Sequence, residues 1–356
     1  MTKLTIDFET RSCVDLKKEG LDRYAKHGST DAWCMAYAFD DGPVELWRRG
    51  EPLPREVRAH VAAGGVVEAH NAGFEWHVWN TVMVPRYGWP PLAIEQCRCT
   101  AAMAAAMSLP RDLETLAVAL QLDVQKDMAG NRLMKKMMRP RNARAVKDEG
   151  AAPIWWDSEA DQARLGEYCK TDVETERAAA KRMLALRESE QALWLLDHRI
   201  NQRGITIDTK LVEKALMVVD EATARADAEM ARLTGGAVTA CSQATRLVDW
   251  LRSRGVETKS IDREHLHDLL ELPDLADDVE RALRLRQETA KTSTAKLEKM
   301  LTAVSPDGRL RGMFLFHGAG TGRWTGRLVQ LHNMTRSKVK PGQVDQVLEI
   351  VGAINS

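Results

Sequence analysis

LTIDFET, residues 4–10, is an apolar run with β-branched content, and it reads as a strand. Successive side chains of a strand point to opposite faces, so Asp7 and Glu9 share one face. Two neighbouring acids there repel unless a cation sits between them. Further along, EYCKTDV (167–173) sets Tyr168 and Asp172 four apart within the helical pattern DSEADQARLGEYCKTDVETERAAAKRMLALR (157–187). That spacing brings a phenol and a carboxylate to one helix face. AHNAGFE (69–75) adds a further acid, Glu75.

Carboxylates suit a hard divalent cation such as Mg²⁺, and two such ions about 4 Å apart stabilise both the attacking and the leaving oxygen of a phosphodiester displacement. Any one of these acids alone reads as a solvated surface group. Jointly, each arrives in a matching context, and the set points to nuclease chemistry.

DFET, HNxxFE and YxxxD, in that order, resemble the three motifs of the DEDD superfamily of 3′→5′ exonucleases, in the tyrosine-bearing subclass that includes the proofreading domains of family A DNA polymerases. The resemblance implies two Mg²⁺ ions, with Mn²⁺ as the alternative. It implies that Asp7, Glu9 and Asp172 bind the first ion, that Asp7 bridges to the second, and that Glu75 supports the second. Tyr168 would orient the attacking water and Asn71 would steady the site, with Thr10 and Phe74 of the same motifs facing substrate. The family has Asp at the Glu75 position, so the carboxylate here stands one methylene further out.

The chain has 356 residues, 44% hydrophobic, enough for two or three domains with their own cores. Charged residues follow the N-terminus too closely for a signal peptide, and no apolar run reaches membrane-spanning length. Cys13, Cys34, Cys97, Cys99, Cys169 and Cys241 are scattered, and CRC lacks zinc-site spacing. They read as reduced thiols, and the expected location is cytoplasmic, in a bacterial host or phage-infected cell, with no membrane partner. Fifty-one basic and fifty-one acidic residues balance. Nucleic-acid contact must therefore be local. Two stretches offer it: RLMKKMMRPRNARAVK (132–147), equally readable as a solvated face, and the series Arg309, Arg311, Arg323, Arg327, Arg336, Lys338 and Lys340.

Residues 1–187 read as one α/β unit. LTIDFE, WCMAYAFD and VELW are predicted strands with a DDGP turn, VVEAHN is a buried strand, and helices follow. This order suits a ribonuclease-H-like exonuclease domain, which gathers acids from several elements into one cleft. Residues 188–356 begin with a mostly helical region whose Leu, Met, Ala and Val stripes are helix-packing faces. No Gly-rich phosphate loop is present. Within it, HRINQRGITID (198–208) and SQATRLVDWLRSRG (242–255) resemble the thumb of family A polymerases.

GRLRGMFLFHGAGTGRWTGRLVQLHNMTR (308–336) then resembles the TGR…LQN element at the thumb-to-palm junction of that family, closest to its compact phage members. The resemblance implies that Thr321, Arg323, Arg327, His332 and Asn333 contact primer-template DNA, Arg323 in the minor groove. His332 stands where Gln is usual. GAGTG is also readable as an ordinary loop between strands. The later palm motifs and the fingers helix do not follow, so the sequence predicts digestion of single-stranded 3′ ends without primer extension, and a truncated gene, a split polymerase with palm and fingers on a separate chain, and an incomplete record are equally open readings of the break. A free-standing exonuclease of DNA repair or RNA processing and a non-catalytic DNA-binding remnant are the alternatives. His70 reads as a structural hydrogen bonder, Trp155 and Trp156 as helix-to-sheet packing, and Trp324 as the aromatic closest to DNA.

Overall fold

The computed structural model describes residues 2–123, 127–289, 294–334 and 340–353. By internal contacts these form two compact units. The first comprises the described residues up to Thr206 with Ala303–His332, and the second Ile207–Thr302 with the described residues from Asn333 onward.

A five-stranded sheet organises the first unit. Its strands are β1 (Lys3–Arg11), β2 (Asp31–Phe39), β3 (Glu45–Arg48), β4 (Val66–Ala69) and β5 (Cys97–Cys99). They lie in the order β3-β2-β1-β4-β5. β1 pairs antiparallel with β2 and β2 with β3, while β1–β4 and β4–β5 are parallel. The alternation read in LTIDFET holds: Leu4, Ile6 and Phe8 enter the main core with Met35, Trp79 and Trp89. Central strands buried on both faces carry almost no exposed residue, as β2 does.

The Glu159–Arg182 helix covers the other face, packing Leu165, Cys169 and Val173 on Cys34, Ala36 and Ala38 of β2. Small residues on β2 permit this close approach, and Gly166 matters for it, since a Cβ there would stand 2.5 Å from Leu46 Cδ2. Ser158 caps the helix by accepting the Asp161 amide, and Lys181 and Arg182 complement its C-terminal dipole. The helical pattern runs to Arg187 in sequence, but the helix stops at Arg182. Met183 turns extended and buries with Met103, Leu116 and Ala179, which gains more than one further solvated turn.

The next helix, Glu188–Arg203, ends at Gly204, whose φ of 67° disfavours a side chain and where a Cβ would stand 2.5 Å from the Leu310 carbonyl oxygen. Ile205–Thr206 then pairs with Arg309–Leu310. Phe314–Leu315 and Thr325–Gly326 form a hairpin, with the GAGTG stretch in its loop, and Phe316 and Trp324 join the first core. Trp324 is thus half-buried packing rather than an open aromatic face.

The second unit is helical, as its stripes predict. Its helices Thr209–Leu233, Ala244–Ser253, Arg263–Leu270 and Asp277–Thr289 bury Met230, Leu247, Leu251, Leu266 and Leu283. The Asp208 side chain caps the first of these at the Leu211 amide. Among the described residues no helix is long and apolar enough to cross a membrane.

Candidate active site

Three elements deliver carboxylates to one place. β1 holds Asp7 and Glu9 on the face beneath the Glu159–Arg182 helix, and that helix points Asp172 back at them. One carboxylate oxygen from each of Asp7, Glu9 and Asp172 lies within 4.8 Å of the others. Glu75, on the Ala72–Val78 helix that follows β4, is 4% exposed. Its carboxylate accepts the Phe8 amide, and its Oε2 has no hydrogen-bond partner.

The electrostatics are those of acids crowded without a counter-charge. Burial pushes Asp7 up to about 6 against the opposing effect of the Cys169 thiol, whose Sγ donates to Asp7 Oδ2 at 3.3 Å. Burial, then the charge of Asp7, pushes Asp172 up to about 8, while the Tyr168 hydroxyl donating to it pulls down. Glu9 and Glu75 are driven well above the usual carboxylate range, first by burial and then by neighbouring acids, Asp7 foremost. A buried orphan carboxylate oxygen and a cluster of hard oxygen donors fit a divalent cation such as Mg²⁺ or Mn²⁺.

Tyr168 stands one turn before Asp172. Its hydroxyl also meets Asn131 Nδ2 at 3.4 Å, and burial drives its pKa upward. A groove of about 250 Å³ opens beside Tyr168 and Asp172, bordered by Asp112, Asp127, Asn131 and Thr171. Thr10 is buried, its hydroxyl 2.7 Å from that of Tyr24, and the Tyr24 ring packs 6.2 Å from half-buried Phe74. Asn71 is exposed, in a left-handed conformation at the start of the helix bearing Glu75.

The second group of sequence candidates lies on the hairpin and just after it. Thr321, Arg323 and Arg327 are exposed, with Arg323 Nε donating to Thr321 Oγ1 at 3.1 Å. His332 is exposed and packs its ring over Gly326, where a Cβ would collide with it. Asn333 is exposed in the second unit. Arg309 and Arg311 are spent otherwise. Arg309 donates to the Arg203 and Gly204 carbonyls, and Arg311 pairs with Asp307 and Asp22. Arg336 and Lys338 lie outside the described residues. In the 132–147 stretch, Lys136, Arg139 and Arg144 pair with Asp161, Asp15 and Asp148.

Glu176 was not singled out in sequence, although its i+4 spacing from Asp172 is a helical signal. It is 1% exposed and accepts the Thr100 hydroxyl at 3.2 Å. His70 is the structural hydrogen bonder that the sequence suggests, its Nε2 donating to the Arg111 carbonyl at 2.7 Å and its Nδ1 3.0 Å from the Thr100 hydroxyl. Trp155 and Trp156 pack beside the Glu159–Arg182 helix against the Trp33 and Leu165 cluster.

No protein-family model matches the chain. It is 36% identical over 346 residues to the DNA polymerase of Bacillus phage SP02, a match covering 96% of this chain and 52% of that protein. The chain therefore spans about half the length of the curated relative it matches. Among solved structures it is similar to the POL domain of Pol1 from M. smegmatis, in complex with DNA primer-template and dNTP. That likeness has a TM-score of 0.53 and 15% identity, covering 95% of this chain and 53% of the other, and it is a likeness of fold. The likeness to the phage SP02 DNA polymerase runs through nearly the whole of this chain.

Proposed function

We propose that the chain is the 3′→5′ exonuclease and thumb portion of a family A DNA polymerase, with the exonuclease in residues 1–187 and the thumb and TGR element in 188–356. The observation that carries this reading is the meeting of Asp7, Glu9 and Asp172 oxygens within 4.8 Å. The strand order β3-β2-β1-β4-β5, antiparallel on one side of β1 and parallel on the other, supports a ribonuclease-H-like domain. The polymerase relative and a fold neighbour described with primer-template DNA support DNA as substrate.

In this reading Asp7, Glu9 and Asp172 would hold one ion, and Asp7 with Glu75 would hold a second. Bound there, the ions supply Lewis-acid activation of water and neutralise charge on the leaving 3′ oxygen. The chain's own groups do the rest. Tyr168, held between Asn131 and Asp172, orients the attacking water through its hydroxyl. Half-buried Phe74, backed by the buried Tyr24 and Thr10, faces the terminal nucleotide, with exposed Asn71 on the same motif. The exposed Thr321, Arg323, Arg327, His332 and Asn333 are the proposed contacts to primer-template, arginines to phosphates and groove edges.

The test is digestion of 3′-labelled single-stranded DNA by the purified chain. Mg²⁺- or Mn²⁺-dependent release of mononucleotides that disappears in Asp7→Ala supports the reading. Undiminished digestion by Asp7→Ala, or release from 5′ ends, overturns it.

A further inference from the structure

Outside the carboxylate cluster, three arginines of the first unit crowd around Asp31. A bulge between Glu9 and Thr10 shifts the register of β1, so that Arg11 pairs with Asp31 at the start of β2. Arg11, Arg49 and Arg86 all converge on the same oxygen, Asp31 Oδ2, at 3.6, 3.8 and 3.6 Å. None of these approaches is a hydrogen bond. Asp31 Oδ1 is already taken by the Tyr87 hydroxyl and the Ala32 amide, each at 3.0 Å. One carboxylate thus faces three guanidinium groups, and two positive charges remain in excess.

Arg11 is the decisive member. Its residue is 8% exposed, and its Nε has no hydrogen-bond partner. Its Cζ packs 4.4 Å from the Trp33 ring and 4.7 Å from that of Trp155, and Arg49 lies 5.4 Å from Trp33. Burial first, and then repulsion from Arg49, pulls its pKa down, so the cluster is unfavourable as it stands. Arg49 and Arg86 remain accessible, with side chains 36% and 39% exposed, although Arg86 Nη2 already donates to the Gly28 carbonyl at 2.7 Å. Three guanidinium forks around an incompletely satisfied centre match the donor needs of a phosphate group, which accepts several charge-assisted hydrogen bonds at once.

We infer that Arg11, Arg49 and Arg86 form a phosphate-binding site whose occupant is a backbone phosphodiester of single-stranded nucleic acid. It rests on the function proposed above for the identity of the polyanion. The competing source of the same chemistry is free phosphate, and the bland alternative is that all three arginines serve only to neutralise Asp31.

Binding of fluorescent oligo(dT) to the full chain, in EDTA so that nothing is digested, separates these across ~0.05–0.3 M salt. Arg49→Gln with Arg86→Gln leaves Arg11 to balance Asp31 one to one. Loss of the one phosphate contact made here by a single strand makes the slope of log K against log salt shallower by about 0.7, which is about 5-fold weaker binding at ~0.1 M salt. The Arg49→Lys, Arg86→Lys pair should restore the slope, and Arg55→Gln with Lys181→Gln should leave it unchanged.

An unaltered slope in Arg49→Gln, Arg86→Gln overturns the inference, as does equal weakening by the Arg55 and Lys181 pair. Thermal stabilisation by inorganic phosphate that the variant loses, with oligonucleotide affinity unchanged, assigns the site to free phosphate and also overturns it. Should the double variant fail to fold, Arg49→Gln alone is read the same way, with a slope shallower than wild type by up to about 0.7. Because hydrolysis is not read, failure here is distinct from failure of the exonuclease reading.

Discussion

Replacing Glu9 by Gln should stabilise the metal-free protein and abolish its response to Mg²⁺. Glu9 is buried within 4.8 Å of both Asp7 and Asp172. At that separation two ionised carboxylates repel by about 3 kcal/mol at an effective dielectric near 20. Proton uptake by the cluster relieves part of this, so the gain from Glu9→Gln at neutral pH is about 1–3 kcal/mol. In a body of this size that raises the melting temperature by roughly 2–4 °C per kcal/mol. The wild type should gain about 2.7 kcal/mol from Mg²⁺ at a hundredfold excess over Kd, because an ion that binds only the folded form stabilises it. Nine of the ten tryptophans lie in the first unit, so tryptophan fluorescence follows the relevant transition. Melting with EDTA and with Mg²⁺ gives both quantities. A Glu9→Gln variant that melts lower than wild type in EDTA, or keeps the full Mg²⁺ shift, refutes the reasoning.

Asp7→Ala should lower single-turnover 3′ digestion by ~10² or more, and Tyr168→Phe by less, since the four carboxylates remain; equal losses would contradict the roles assigned. In EDTA, stability should fall as pH rises from about 7.5 to 8.5, and Mg²⁺ should flatten the fall. The sign follows from Asp172: pushed up to about 8, far above its unfolded value, it binds its proton more tightly when folded, so deprotonation penalises the native state. His70, His77 and His198, held down by burial, act oppositely until their unfolded-state imidazoles have lost their protons, about one pH unit above 6.5, so the window starts beyond them. A melting temperature that climbs through about pH 7.5–8.5 in EDTA would count against the cluster. Trp79→Ala, at a fully buried ring packed 4.6 Å from Trp89, should cost about 3–5 kcal/mol in denaturant titration without changing the Kd for Mg²⁺ of the protein that remains folded.

What was legible in sequence was local. Asp7 and Glu9 share a face because strand period is a property of the chain itself, and Tyr168 and Asp172 share one because helix period is. Glu75 is different. Its approach to Asp7 depends on parallel pairing of β4 with β1 and on the helix that follows, and only motif resemblance linked it to the others. Tertiary context also decided what the basic residues do. Arg309 and Arg311 look like Arg323 in sequence, yet the first closes a helix end and the second pairs with buried Asp22, because residues 303–332 return to the first unit. Nothing in the periodicity of that segment announces the return. The bulge that turns Arg11 toward Asp31 was equally silent, since it arises from a register slip against β2 and has no residue signature in RSCVD.

The cost of the carboxylate cluster and the rigidity of its frame belong together. Crowded acids would push apart if their elements could move, and the fold denies them that motion. β1 is hydrogen-bonded on both edges, and the Glu159–Arg182 helix is locked down by Leu165, Cys169 and Val173 and by the close packing at Gly166. The single S–H of Cys169, one residue after Tyr168, is shared between Asp7 Oδ2 and the Asp7 backbone carbonyl, each 3.3 Å from Sγ, so strand and helix are joined within the site itself. Repulsion among Asp7, Glu9, Glu75 and Asp172 is therefore stored as raised proton affinity rather than released as displacement, which is the condition under which a cation binds without reorganising the protein.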